Sequence, residues 1–223
     1  MDPSALADFQ ATGFYQAFSL IFLSELGDKT FFIAGLLSMK TSRLVSFVGS
    51  LAALAVMTLI SVAIGQVFHA VPAGLTNGLP LDDVVAVAAF TFFGLQTLRD
   101  ALNSDPDNSS IDSELSDATD EVNASKTLTE TTAWAQILST FGLVFAAEFG
   151  DKSFLATIAL AAAQNPFAVT SGAIAGHAAA TAIAVTGGSY ISRYISERVV
   201  GVISGSLFLV FALTTLLGLL GAL

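Results

Sequence analysis

Two hexapeptides concentrate the chemistry available to this sequence: Glu25–Leu26–Gly27–Asp28–Lys29–Thr30 and Glu148–Phe149–Gly150–Asp151–Lys152–Ser153. Each offers two carboxylates and a hydroxyl beside one lysine. Hard oxygen donors of this kind suit Ca²⁺, Mg²⁺ or Mn²⁺. Neither motif contains the imidazole or thiolate that favours zinc or copper, and the chain has no cysteine. If the motifs meet, Glu25, Asp28, Thr30, Glu148, Asp151 and Ser153 form one ligand set, with Lys29 and Lys152 as built-in counter-charges. Four carboxylates less two lysines leave two negative charges, which one divalent cation or two protons neutralise. Glu25, Asp28, Glu148 and Asp151 are therefore candidates to carry either load. No resident cofactor is implied.

The motifs are copies of one unit. A shift of 123 residues aligns Phe22 with Phe145, Glu25 with Glu148, Gly27 with Gly150, Asp28 with Asp151 and Lys29 with Lys152. The match runs on into the next apolar segment, pairing Gly49 with Gly172, Thr58 with Thr181 and Gly65 with Gly188. Apolar coincidences are common between membrane segments, but coincidences of glutamate, aspartate and lysine are not.

The elements that position these motifs are membrane helices. Hydrophobic residues make up 54% of the chain and charged residues 12%, whereas soluble domains carry about 25% charge. Runs of about 20 apolar residues cross a bilayer core. Six such spans are predicted: Phe14 to Met39, Ser46 to Phe68, Val84 to Leu102, Thr132 to Ala163, Phe167 to Ile191 and Val199 to Leu220. The expected fold is all-α and polytopic. Three spans per repeat is an odd number, so the halves insert with opposite orientation, as in many secondary transporters. The expected division is 1–102 for the first three-helix repeat, 103–131 for an acidic loop and 132–223 for the second repeat.

Glu25 lies about 16 Å along a helix from Phe14, near mid-bilayer. Helical spacing would set the motif's glutamate, aspartate and lysine on one face. The intervening Gly27 and Gly150 would let another helix approach closely or let the turn open. Ionisable groups at that depth must face each other or a wet cavity. Thr58 and Thr181 are weaker candidates, for completing a coordination shell. His177, opposite Leu54 in the repeat, is read as a packed histidine. Gly172 with Gly176, and Gly201 with Gly205, carry G-x-x-x-G spacing and predict close helix packing.

Residues 103–131 hold Asp105, Asp107, Asp112, Glu114, Asp117, Asp120, Glu121 and Glu130 against a single base, Lys126. That composition predicts a solvated, flexible loop. An EF-hand starting at Asp105 fails, because Ser110 and Ser116 occupy the glycine and glutamate positions. The bases outside the motifs are Lys40, Arg43, Arg99, Lys126, Arg193 and Arg198, all flanking the odd-numbered loops. The positive-inside rule then puts the acidic loop in the cytoplasm and both termini on the other side. A net charge of −10 argues against a nucleic-acid partner, so divalent cations and membrane lipid are the expected partners.

Paired E-x-G-D-[KR]-[ST] motifs in the first span of each half, with an acidic loop between them, resemble the Gdt-type Ca²⁺/Mn²⁺:H⁺ exchangers. The resemblance covers the whole chain. It implies cation–proton antiport, with Glu25, Asp28, Thr30, Glu148, Asp151 and Ser153 as metal ligands, and Mn²⁺ and Ca²⁺ both fit. The start of the chain, lacking a basic leader, is similar to bacterial members and implies a plasma or thylakoid membrane. A rival reading is an exporter of small organic cations or amino acids on a similar frame, which predicts a roomier site. An enzyme is not expected: in intramembrane aspartyl proteases glycine stands where Glu25 and Glu148 stand here.

Overall fold

A computed structural model describes residues 3–70, 80–103, 110–192 and 196–220. Among them all regular structure is helical: α1 (Pro3–Glu25), α2 (Lys29–Lys40), α3 (Arg43–His69), α4 (Leu81–Asn103), α5 (Ser110–Ala124), α6 (Ala133–Glu148), α7 (Lys152–Ala163), α8 (Pro166–Ser192) and α9 (Glu197–Leu219), with a short 3₁₀ turn at Lys126–Leu128. Helix starts follow their capping chemistry. Ser42, Thr132 and Ser196 accept hydrogen bonds from the backbone N–H of Val45, Ala135 and Val199. Asn165 Oδ1 accepts from Phe167 N and Ala168 N, just before Pro166 opens α8.

Among the described residues, four helices are long and apolar enough to cross a membrane: Arg43–His69, Leu81–Asn103, Pro166–Gly187 and Arg198–Leu219. The expected first and fourth spans are not single helices. Each breaks at its hexapeptide, giving α1 then α2 and α6 then α7. The physical cause is the positive φ of Gly27 (85°) and Gly150 (86°), which takes the backbone out of the right-handed helix.

The packing repeats with the halves exchanged. α1 and α2 lie against α8, while α6 and α7 lie against α3. A Cβ on Gly172 would stand 2.3 Å from Phe14 O, and one on Gly49 would stand 2.9 Å from Ile137 O. Gly49 and Gly172 are repeat mates, and so are Phe14 and Ile137. Two helix crossings thus use the same glycine against the same backbone position. α4 and α9 pair with each other, and Gly201 and Gly205 bring α9 onto Ala101 and Leu98 of α4, as the G-x-x-x-G spacing predicts.

The interior is layered. One buried cluster includes Leu20, Ile21, Val62, Ala156, Leu160, Ala173 and Phe208, and another includes Phe31, Phe32, Leu54, Val144 and Ala184. Along each central rod a polar residue stands between the two. Glu25 separates Ile21 from Phe31, Thr58 separates Leu54 from Val62, Glu148 separates Val144 from Ala156, and His177 and Thr181 separate Ala173 from Ala184.

The acidic segment departs from the flexible loop expected of it. Residues Ser110–Ala124 form α5, which docks on α2. Asp117 and Asp120 are exposed, while Ala118 and Val122 enter the cluster around Phe31 and Leu37. Lys29 Nζ donates to Glu121 Oε1 at 2.6 Å and Lys40 Nζ to Asn123 Oδ1 at 2.5 Å. Charge composition predicted solvation, but apolar residues spaced four apart give this stretch a side to bury. Asp105 and Asp107 of the rejected EF-hand, most of the turn from Pro72 to Asp83, and Arg193 lie outside the described residues.

Val122→Asp should release α5, because an unpaired carboxylate would enter an apolar cluster. Limited proteolysis should then cut the 110–131 stretch faster, while helix content elsewhere holds. Unchanged protection would mean that α5 is not held by this contact.

Candidate functional site

Each hexapeptide builds the same turn. Glu25 is the last residue of α1 and Glu148 the last of α6; Asp28 and Asp151 precede the first residues of α2 and α7 in extended conformation. Asp28 N donates to Glu25 O at 3.3 Å, and Asp151 N to Glu148 O at 3.0 Å. Thr30 Oγ1 donates to Glu25 Oε2 at 3.2 Å, and Ser153 Oγ donates to Glu148 Oε1. The hydroxyl at the sixth motif position therefore orients the carboxylate at the first. Glu25, Thr30, Glu148 and Ser153 are all buried, with no more than 3% of any residue exposed.

This geometry replaces the single helical face expected from spacing. The break turns each glutamate toward the other half and leaves each aspartate at a helix start. At Gly150 it favours the second of the two expected functions, an opened turn, over close helix approach. Gly150 has open space where a Cβ would stand, so its task is the positive φ.

The two copies differ in what their other side chains engage. Asp151 Oδ2 accepts from Ser153 N at 3.1 Å and caps α7. Asp28 makes no such cap; its Oδ1 lies 3.9 Å from Lys152 Nζ of the other half. Lys152 thus stands across the repeat from Asp28. Lys29 does not face the carboxylates as expected, because Glu121 of α5 holds it. Glu114 of α5 is partly buried, and that burial raises its carboxyl above the ordinary range; Lys152 and Lys29 oppose the rise, while Asp117 and Asp151 add to it.

A cavity of about 10 Å³, roughly the room of one water molecule, opens beside Glu148. Met57, Thr58, Ser61, Ser153, Phe154, Thr157 and His177 also line it. Glu25 is not among the lining residues, but its Oε1 stands 3.5 Å from Nδ1 of His177, which is. Thr58 donates to Leu54 O at 2.9 Å and still borders the cavity. Thr181 is buried but is not among the lining residues. Among the described residues no three Asp, Glu or His side chains stand close enough to hold a metal ion as they are.

His177, expected only to pack, stands at the cavity wall beside Glu25. The internal repeat does not point to it, because its mate is Leu54. Its helical position one turn before Thr181 was the available signal. Ser61 and Thr157 also escape a reading by symmetry, though each lies one turn beyond a named candidate, Thr58 and Ser153.

Broken helices that end on buried carboxylates, inside a layered bundle of membrane-length helices, define a multi-pass membrane protein built around a charged interior. Similarity to known proteins agrees. The family model described as divalent cation/proton antiporter GDT1 matches residues 13–105 and 136–222. The chain is 48% identical over 225 residues to GDT1-like protein 2, chloroplastic, of Oryza sativa subsp. japonica, covering 97% of this chain and 64% of that one. It is 48% identical to the chloroplastic PAM71-homolog of Arabidopsis thaliana, covering 96% and 62%. With GDT1-like protein sll0615 of Synechocystis sp. it shares 38% over 204 residues, covering 92% and 96%. This chain belongs to the GDT1 family, a family of antiporters and not of enzymes. It spans less than two thirds of the length of these two chloroplastic relatives. No solved structure matches it.

Gly150→Ala should cost about 1–2 kcal/mol, because a Cβ is strained at positive φ. Asn, which tolerates that region, should cost less. Since nothing crowds the site, thermal unfolding in detergent isolates the backbone effect. An alanine variant as stable as the wild type would remove the turn described here.

Proposed function

We propose that the protein exchanges a divalent cation, Mn²⁺ or Ca²⁺, for protons. In this reading the site lies at mid-bilayer between two inverted three-helix halves. α1–α2 and α6–α7 then each serve as one interrupted span, completing six spans with α3, α4, α8 and α9. The observation that carries the reading is two half-helix ends, each closing on a buried glutamate held by a motif hydroxyl, with a small cavity beside Glu148 and Glu25 3.5 Å from His177 of its wall.

Three physical points support it. The carboxyl end of a helix carries negative partial charge and unpaired carbonyls, so α1 and α6 both present cation-binding ends. Carboxylates between two apolar layers are expensive to keep charged without a partner. A bound cation relieves that cost and so does protonation, and this competition couples the two loads. Finally, the cavity beside Glu148 has room for about one water-sized particle, a size that suits a dehydrated ion better than an amino acid or an organic cation.

The assigned ligands are Glu25, Asp28, Thr30, Glu148, Asp151 and Ser153. Thr58 borders the same cavity as a further hydroxyl. The membrane is of thylakoid or plasma type, in line with the chloroplastic relatives, and the acidic segment faces the cytoplasm.

Proteoliposomes loaded at one pH and diluted into another should take up Mn²⁺ or Ca²⁺ only when the gradient is present. Glu25→Gln and Glu148→Gln should each slow that uptake by roughly 10–100-fold. The double variant should be little worse than either, since groups acting as one unit are not additive. Half activity in each single variant, with none in the double, would point to two independent paths and sink the shared site.

Orientation has its own test, helped by the absence of native cysteine. Single cysteines at Asn77 and Ser113 should react with an impermeant thiol reagent from opposite faces, Ser113 from the cytoplasmic one. Labelling of both from the same face would overturn the inverted arrangement.

A further inference from the structure

His177 breaks the two-fold likeness of the halves at the point where the cavity lies. It is 4% exposed on α8 and is surrounded by the residues of the candidate site. Its Nδ1 makes no hydrogen bond, and Glu25 Oε1 stands 3.5 Å away. Glu148 Oε2 is likewise buried without a partner. Buried polar atoms are nearly always paired. Two orphans, one an imidazole nitrogen and one a carboxylate oxygen on residues lining the same water-sized cavity, are what a site leaves open for an ion.

We propose that His177 Nδ1 is a nitrogen ligand to the transported cation, joining the Glu25 and Glu148 carboxylates, and that it biases the site toward Mn²⁺ over Ca²⁺. The proposal rests on the exchange reading above and names its selectivity. Ca²⁺ takes oxygen ligands, six to eight of them as a rule. An imidazole nitrogen is a softer donor that first-row transition ions accept more readily. One nitrogen among carboxylates and hydroxyls therefore adds more to Mn²⁺ binding than to Ca²⁺ binding. Leu54, at the mate position in the other half, offers no donor, so the preference comes from one side chain. Bringing these groups onto one ion takes side-chain rotation about the cavity that Glu148 and His177 line, with Glu25 3.5 Å from His177.

The test uses full-length protein prepared without a polyhistidine tag. Electron spin echo envelope modulation of bound Mn²⁺ should show a directly coordinated ¹⁴N. The chain has two histidines, so the signal should vanish in His177→Gln and persist in His69→Gln, where the native ring bonds Asp82 away from the cavity. In proteoliposomes, His177→Gln should raise the KM for Mn²⁺ by roughly 10–100-fold and that for Ca²⁺ far less. Bound Mn²⁺ without nitrogen coupling in the wild type would overturn the proposal, as would equal KM rises for the two ions. Should His177→Gln fail to fold, nitrogen coupling in wild type and His69→Gln decides the matter alone. Mn²⁺ bound through nitrogen but never exchanged for protons would instead defeat the exchange reading and leave the ligand standing.

Discussion

The bond from the sixth motif residue to the first, Thr30 to Glu25 and Ser153 to Glu148, is the interaction on which the interior depends. A glutamate at the end of a half-helix in an apolar bundle would otherwise have a free choice of rotamers and no donor of its own. The hydroxyl arrives from the first turn of the next half-helix only because Gly27 and Gly150 turn the chain at positive φ. Break, carboxylate and hydroxyl are therefore one device. Without the break, Glu25 and Thr30 would be five residues apart on one helix, about 140° around the axis at 3.6 residues per turn, and could not meet.

Around that device the fold supplies a polar layer between two apolar ones. Glu25, Thr58, Glu148 and His177 occupy the same level of four different rods. Close approach at Gly49 and Gly172 keeps the rods near enough for the layer to be continuous. Larger residues there would push α3 from α6 and α8 from α1, since the space a side chain needs is already taken by backbone of the facing helix.

Much of this was legible in the sequence. The 123-residue repeat, the motif acids and the G-x-x-x-G contacts all follow from residue type and spacing. The breaks were harder to read. Charges at Glu25, Asp28 and Lys29, and at their repeat mates, interrupt the hydropathy without saying that the helix breaks there, and a glycine permits a positive φ without requiring one. α5 was masked by its charge, because Ala118 and Val122 are few among many acids. His177 was hidden for a different reason: internal symmetry brings out what the halves share, and His177 is what they do not.

That asymmetry extends to the charges. The two motifs have matching backbones, yet Asp151 caps its own helix while Asp28 faces the lysine of the other half. Under the proposed exchange, two inverted halves swap conformations as the site alternates between faces. The opposite state would then have Asp28 cap α2 and Asp151 turn to Lys29. Lys29 is held by Glu121 at 2.6 Å, so reaching that state requires it to leave α5. Lys152 stands at the longer 3.9 Å from Asp28. The docked acidic helix thus engages the first motif through a lysine that belongs to the motif itself.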